Sequence, residues 1–194
     1  HEAAVCEAVS AMPSVPVAGQ EPLRILVLGA LSAFKGADVL EQVAMLARQQ
    51  RAPVELHLLG YAYRPLRTWP VTALRVHGAY QEAQLKERIH ELGVHVVWFP
   101  GSCPETWSYT LSAALEAGFP VVAPAIGAFS ERLAGRGWTW LVEPDREPAQ
   151  VLEHLLQVRE SLVQGCAPDV VDGQRMLPGF DYEASYVVGI CREQ

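Results

Sequence analysis

Short runs of consecutive apolar residues recur along this sequence, and they constrain the fold more than any other feature. The first is LRILVLG at residues 23–29, and VELHLLG at residues 54–60 repeats its form down to the final glycine. An apolar run without alternation predicts a strand that is buried on both faces, as in parallel sheets. The same pattern predicts further strands at residues 74–78, 95–100, 120–124 and 137–143.

Helical patterns separate these strands. Apolar side chains at helical spacing predict helices at residues 36–50, 81–92, 108–117 and 147–162. Alternation of strand and helix predicts an α/β protein with a Rossmann-like, doubly wound parallel sheet. We assign residues 23–162 to this domain, residues 1–22 to a linker or N-terminal arm, and residues 163–194 to a C-terminal loop and helix.

Charge and composition narrow the classes of partner. The formal net charge of -7 and the lack of a Lys/Arg cluster argue against a nucleic-acid surface. Scattered cysteines and histidines without ligand spacing argue against a disulfide or a metal site. No apolar run reaches the roughly 18 residues of a membrane span. We therefore expect a cytoplasmic protein that binds no metal.

Ligands of doubly wound sheets bind at the carboxyl ends of the strands. Gly29 and Gly60 stand at two of these predicted ends, where glycine lets backbone approach a ligand; the alternative for each is a tight turn. The segment after Gly29 has neither the dinucleotide G-x-G-x-x-G pattern nor a P-loop. It does carry Lys35 beside a predicted helix N-terminus, which favours a phosphate; a solvated lysine is the alternative.

A second candidate lies in CPETWSYTLSAALEAGFPVVAP, residues 103–124. A helix there would place Ser108, Ser112 and Glu116 on one face, in a stripe about 12 Å long. The backbone N–H groups near residues 109–112 would face outward and could hold a diphosphate. The neighbouring sequence supplies no obvious charge partner for this stripe. A nucleotide site and a solvated polar face are the two interpretations.

Five segments, in this order, carry a resemblance to a known family: RILVLGALSAFKGADVL, LHLLG, VHGAYQEAQL, FPGSCPETWSYTLSAALEAGFPVVAPAIGAFSERL and WLVEPD. Over residues 23–162 the chain resembles the C-terminal, donor-binding half of a GT-B glycosyltransferase (glycosyl transferases group 1, family 4-like), in the retaining group similar to glycogen synthase. The resemblance implies half of a GT-B fold and a nucleotide diphosphate sugar, such as a UDP-sugar, as donor substrate.

The resemblance also implies roles for individual residues. Lys35 would neutralise the donor diphosphate, Glu116 would accept hydrogen bonds from the ribose hydroxyls, and Tyr80 would pack against the base. The positions whose backbone amides would touch the diphosphate are Thr110, Leu111 and Ser112.

Two positions depart from the family pattern. Ser108 stands where the family has a first glutamate near the sugar, and Glu105, three residues upstream, is a candidate for that role. Ala30 stands near the place of a family arginine. The catalytic candidates are therefore Lys35, Glu116, Ser108 and Glu105.

The implied reaction is sugar transfer to an acceptor hydroxyl with retention, without a metal or other cofactor. In this family the acceptor binds a separate N-terminal domain, which would precede residue 1. The resemblance implies that any peripheral membrane association would arise through that domain. The isolated domain is then expected to be inactive. The departures at Ser108 and Ala30 leave a non-catalytic nucleotide-sugar sensor or scaffold open, and an epimerase-type relative is a third alternative.

Overall fold

The computed structural model describes residues 17–104 and 106–169 and forms a six-stranded, wholly parallel sheet in the order β3-β2-β1-β4-β5-β6. The strands are β1 (Leu23–Leu31), β2 (Val54–Ala62), β3 (Leu74–Gly78), β4 (Val96–Trp98), β5 (Val121–Pro124) and β6 (Thr139–Val142). The helices are α1 (Ala37–Gln50), α2 (Leu85–Glu91, after a 3₁₀ turn at Glu82–Gln84), α3 (Tyr109–Glu116), α4 (Gly127–Leu133) and α5 (Pro148–Gln164). The predicted α/β, Rossmann-like fold is confirmed.

Helices cover both faces of the sheet, and each face has its own apolar core. On one face α1 and α5 pack against alternate residues of the central strands, among them Ile25 and Leu56. On the other face α2, α3 and α4 pack against residues such as Leu26 and Val97. Strands buried on both faces account for the continuous apolar runs in the sequence.

The predicted ends of the first two strands each fall two residues short. β1 continues to Leu31 and β2 to Ala62, so Gly29 and Gly60 pair with each other inside the ladder instead of ending it. A Cβ on Gly60 would lie 2.0 Å from the Gly29 carbonyl oxygen. Close approach of the two backbones therefore requires glycine at position 60.

The order of the strands creates a switch point between β1 and β4, where the chain leaves the sheet in opposite directions. The loops that follow these two strands meet at the carboxyl edge of the sheet. A Cβ on Gly36, the residue before α1, would lie 2.4 Å from the Pro100 carbonyl oxygen in the loop after β4. This packing brings Lys35 beside the loop that leads into α3.

The described part of the predicted N-terminal arm packs on the domain. Val17 is buried in the core beneath α5. Arg159 of α5 donates hydrogen bonds to the carbonyl oxygens of Gly19, at 2.6 Å, and Glu21, at 2.9 Å. The C-terminal helix that we predict lies outside the described residues. Within the described ranges, no helix combines the length and apolarity that crossing a bilayer requires.

Candidate functional site

A groove of about 680 Å³ lies between the start of α2 and the outer face of α3. Four of the predicted site residues line it: Tyr80, Thr110, Ser112 and Glu116. The other residues around the groove are Glu82, Leu85, Lys86, Trp107, Tyr109 and Ala113. Its walls therefore combine aromatic rings with both signs of charge.

A smaller cavity of about 60 Å³ adjoins the groove at the switch point. Lys35, Gly29 and Ala30 line this cavity, and Thr110 lines both spaces. A Cβ on Gly29 would lie 3.2 Å from the Thr110 methyl group, so the absence of a side chain at Gly29 leaves room for the start of α3. The structure thus brings the loop with Lys35 and the N-terminus of α3 to one place.

Ser108 does not share a helical face with Ser112 and Glu116, so this part of the sequence prediction is wrong. Helix α3 begins at Tyr109, and Ser108 is its N-cap with extended backbone. The Ser108 hydroxyl accepts the Leu111 N–H at 3.4 Å, and the side chain is buried. An N-cap side chain turns back towards the helix to satisfy one of the first N–H groups, which takes Ser108 out of the stripe.

The cap decides which amides remain at the N-terminus of α3. The Leu111 N–H is bonded to Ser108, and the Leu111 side chain is fully buried. The Ser112 N–H donates to the Ser108 carbonyl oxygen at 3.2 Å. The N–H groups of Tyr109 and Thr110 have no hydrogen-bond acceptor among the described residues. These two N–H groups could donate hydrogen bonds to an anionic ligand.

Arg132, which the sequence reasoning missed, supplies a charge to the polar side of α3. From α4 its guanidinium donates to the Ser108 carbonyl oxygen at 2.9 Å and to the Ser112 hydroxyl at 2.8 Å. Its Cζ lies 4.2 Å from the centre of the Trp107 ring. Burial lowers the pKa of Arg132, yet an arginine remains protonated at neutral pH. No local pattern links positions 108 and 132, because the contact depends on how two helices pack.

Glu116 and Tyr80 lie at the other end of the groove. Glu116 is the last residue of α3, and its side chain is exposed. Burial raises the pKa of Tyr80, and the neighbouring Glu82 carboxylate adds to the increase. Arg132 and Lys35 therefore place positive charge near the N-terminus of α3, and Glu116 places a carboxylate at its C-terminal end.

Two candidates do not enter this geometry. Gly60 lies inside the sheet, where contact with the Gly29 carbonyl accounts for the glycine. Glu105 lies outside the described residues. In the part of the chain that the structure describes, no three His, Cys, Asp or Glu side chains cluster as metal ligands would.

A family model, Glycosyl transferases group 1, matches residues 22–161 of the chain. No curated protein matches the sequence.

Similar solved structures show the same fold at low sequence identity. The C-terminal domain of a glycosyl transferase group 1 family protein (LpcC) from Francisella tularensis is 15% identical with a TM-score of 0.52, over 74% of this chain and 83% of that domain. The lipopolysaccharide outer core galactosyltransferase WaaB is 16% identical with a TM-score of 0.55, over 80% of this chain and 45% of that one. The pneumococcal O-GlcNAc transferase GtfA, solved with UDP and GlcNAc, is 14% identical with a TM-score of 0.52, over 93% of this chain and 35% of that one. The chain thus spans less than half the length of the latter two.

Proposed function

Because the chain belongs to the glycosyl transferases group 1 family, we propose that it is the donor-binding domain of a glycosyltransferase. Its ligand is a nucleotide diphosphate sugar, and in the whole protein the sugar passes to an acceptor hydroxyl with retention. One observation carries the assignment: the groove along α3 joins the Lys35 cavity at Thr110, beside two backbone N–H groups without acceptors among the described residues.

The diphosphate has the best electrostatic environment at this junction. The Tyr109 and Thr110 N–H groups and the positive end of the α3 dipole favour an anion there. The ammonium group of Lys35 adds positive charge from the loop after β1. Charge that develops on a departing diphosphate would be stabilised by the same groups, so the reaction needs no metal.

The nucleoside then extends along α3. Glu116 is suited to the ribose, because a carboxylate accepts hydrogen bonds from two neighbouring hydroxyls. Tyr80 offers an aromatic ring to the base. UDP is a reasonable first ligand to test, since the similar pneumococcal transferase was solved with UDP.

Transfer also needs an acceptor site, which we assign to another domain of the whole protein. The solved chains of the two similar transferases are more than twice as long as the part that this chain covers. We therefore expect the domain alone to bind donors without transferring sugar. The whole protein would include a further domain as partner, and any membrane association would arise through that domain.

A non-catalytic sensor of nucleotide sugars is the second candidate function. It is favoured by the role of Ser108, whose hydroxyl is used to cap α3 and supplies no carboxylate near the sugar. Glu105 remains the proposed replacement in the enzyme. A transfer assay on the whole protein separates the two functions, because a sensor binds the donor and shows no turnover with any acceptor.

Binding is tested first by calorimetry with UDP, GDP, ADP and dTDP and their glucose or mannose conjugates. We expect one nucleoside diphosphate and its sugar conjugates to bind, and the compounds with the other bases to bind more weakly. The variant Glu153→Gln is a matched control for Glu116→Gln, because Glu153 is exposed on α5 at the opposite face of the sheet. Failure of the folded wild-type domain to bind any of these ligands would overturn the proposal.

A further inference from the structure

We propose that Arg132 is a positioning residue for the diphosphate: by holding the Ser108 peptide and the Trp107 ring, it directs the Tyr109 N–H towards the ligand. This inference rests on the proposed function. It adds a residue that none of the sequence patterns indicates, on a different helix from the other site residues.

The first step is the geometry of the guanidinium. Its two terminal nitrogens donate to different groups of α3, one to the Ser108 carbonyl oxygen at 2.9 Å and one to the Ser112 hydroxyl at 2.8 Å. The Ser112 hydroxyl in turn donates to the same carbonyl at 3.4 Å. A planar guanidinium that donates through two nitrogens allows little rotation, so the start of α3 is held in one orientation.

The second step follows from the planarity of the peptide bond. The Ser108 carbonyl and the Tyr109 N–H belong to one peptide unit, and in a trans peptide they point in opposite directions. A donor that holds the carbonyl therefore also sets the direction of the N–H. Because Arg132 binds the carbonyl from the side of α4, the Tyr109 N–H points away from α4.

The third step concerns the strength of that donor. Hydrogen bonds in a chain polarise one another, so a cation on the carbonyl oxygen makes the N–H of the same peptide a better donor. Among the described residues Arg132 forms no ion pair with a carboxylate. Its charge therefore remains available to favour an anion at the N-terminus of α3 without direct contact.

The fourth step is Trp107. Its ring lies over the guanidinium with 4.2 Å between Cζ and the ring centre, and it lines the groove. The indole is 55% exposed, so without the cation beneath it little would hold the ring in place. Arg132 thus positions one wall of the groove and the amide beside it together.

The role also accounts for a departure from the family pattern. Ala30 stands near the place where the resemblance implies an arginine, and it lines the cavity beside Lys35 without offering a charge. Arg132 supplies a second positive charge near the N-terminus of α3, from helix α4.

The test compares Arg132→Met and Arg132→Lys with wild type, using the nucleoside diphosphate that binds best in the panel and its matching nucleoside. We expect Arg132→Met to weaken diphosphate binding about tenfold and nucleoside binding less than about twofold. Arg132→Lys retains the charge without the double hydrogen bond, so its diphosphate affinity should lie between those of wild type and Arg132→Met. The intrinsic fluorescence of Arg132→Met should also shift, and this shift should vanish when Trp107→Phe is added.

Arg136→Met is the matched control. Arg136 follows α4 and donates to the Phe119 carbonyl oxygen at 2.9 Å, so its loss perturbs packing by a similar hydrogen bond away from the groove. It should change the ratio of the two affinities little. An equal loss of diphosphate and nucleoside binding in Arg132→Met, or no loss, would overturn the inference and leave the proposed function standing. No binding by wild type would overturn both.

Discussion

Arg64 and Arg132 both fasten a helix to a neighbouring segment, but they do so with different partners. Arg64, after β2, donates to the carboxylates of Asp38 and Glu41 on α1, with 2.8 Å to Glu41. Arg132 donates to a carbonyl and a hydroxyl, both uncharged. The first cation is neutralised within the fold, whereas the second forms no ion pair among the residues that the structure describes. The difference separates a charge that stabilises the domain from a charge that can act on a ligand.

The largest effect we expect is a loss of stability in acid. It should begin at a higher pH than protonation of Asp38 and Glu41, the carboxylates that neutralise Arg64. Burial lowers the pKa of His57 and of His95 to about 4. Unfolded histidine titrates near 6.5, so the unfolded chain binds more protons between these values and stability falls as pH decreases from about 6.5 to about 4. The hydrogen bond from the Arg24 N–H to His95 Nδ1, at 2.9 Å, requires an unprotonated nitrogen.

Thermal unfolding from pH 7.5 to 4.5 measures this effect, and we expect Tm to fall by about 10 °C. The pKa values of Asp38 and Glu41 are held below their usual range, chiefly by hydrogen bonds from Arg64, so their contribution persists to lower pH. The double variant His57→Gln/His95→Gln should flatten the profile above pH 4.5. An unchanged slope in that variant would contradict the assignment.

Removing the positive charge at the ligand end should affect binding and leave the fold intact. We expect Lys35→Ala to weaken nucleoside diphosphate binding about tenfold, because an ammonium–phosphate contact is a charge-assisted interaction. Lys35 is exposed, so Tm should change little. Lys86→Ala removes the same charge from the base end of the groove and should have a smaller effect on diphosphate affinity. Equal losses in calorimetry would argue against the proposed direction of the nucleotide.

Neutralising one carboxylate of the closed cluster should give the reverse result. Glu41 is buried and accepts the Arg67 N–H as well as the Arg64 side chain. We expect Glu41→Gln to lower Tm by about 5 °C and to leave nucleotide affinity unchanged. Glu41→Gln should therefore lower Tm and leave the affinity measured by calorimetry unchanged, whereas Arg132→Met should lower that affinity. A loss of affinity in Glu41→Gln would remove the distinction between the two arginines.

The smallest effect should come from the carboxylate at the far end of α3. Glu116 is exposed, so we expect Glu116→Gln to weaken binding of the ribonucleotide by about threefold, because the amide oxygen of glutamine still accepts one of the two hydrogen bonds from the ribose. The 2′-deoxy nucleotide should bind both proteins with more similar affinities. If the variant loses the same factor with both nucleotides, Glu116 does not bind the ribose 2′-hydroxyl.

The elements of the fold were predictable because their signals are local. A run such as residues 23–29 must be buried on both faces, and the spacing in residues 36–50 suits only a helix packed on one side. The errors occurred where a second strand decides the outcome. The glycine at position 60 suggested the end of a strand, but it lies inside β2. Glycine is required there because the neighbouring backbone of Gly29 leaves no room for a side chain.

The candidate site was predictable in part for the same reason. Thr110, Ser112 and Glu116 belong to one helix, and they do line one groove with Tyr80. The role of Ser108 was missed because helix spacing and capping compete within one residue of a helix start.

By itself, the sequence determined an α/β domain, the order of its strands and of every described helix except α4, and the segment that opens the groove, since periodicity and glycine placement act over a few neighbouring residues. Tertiary structure alone decided that Arg132 meets Ser108 and Ser112, because the packing of α4 against α3 joins positions that are 24 and 20 residues apart. It also decided which amides are left for a ligand. Charges that act at a distance in sequence are set by packing, and no local pattern encodes them.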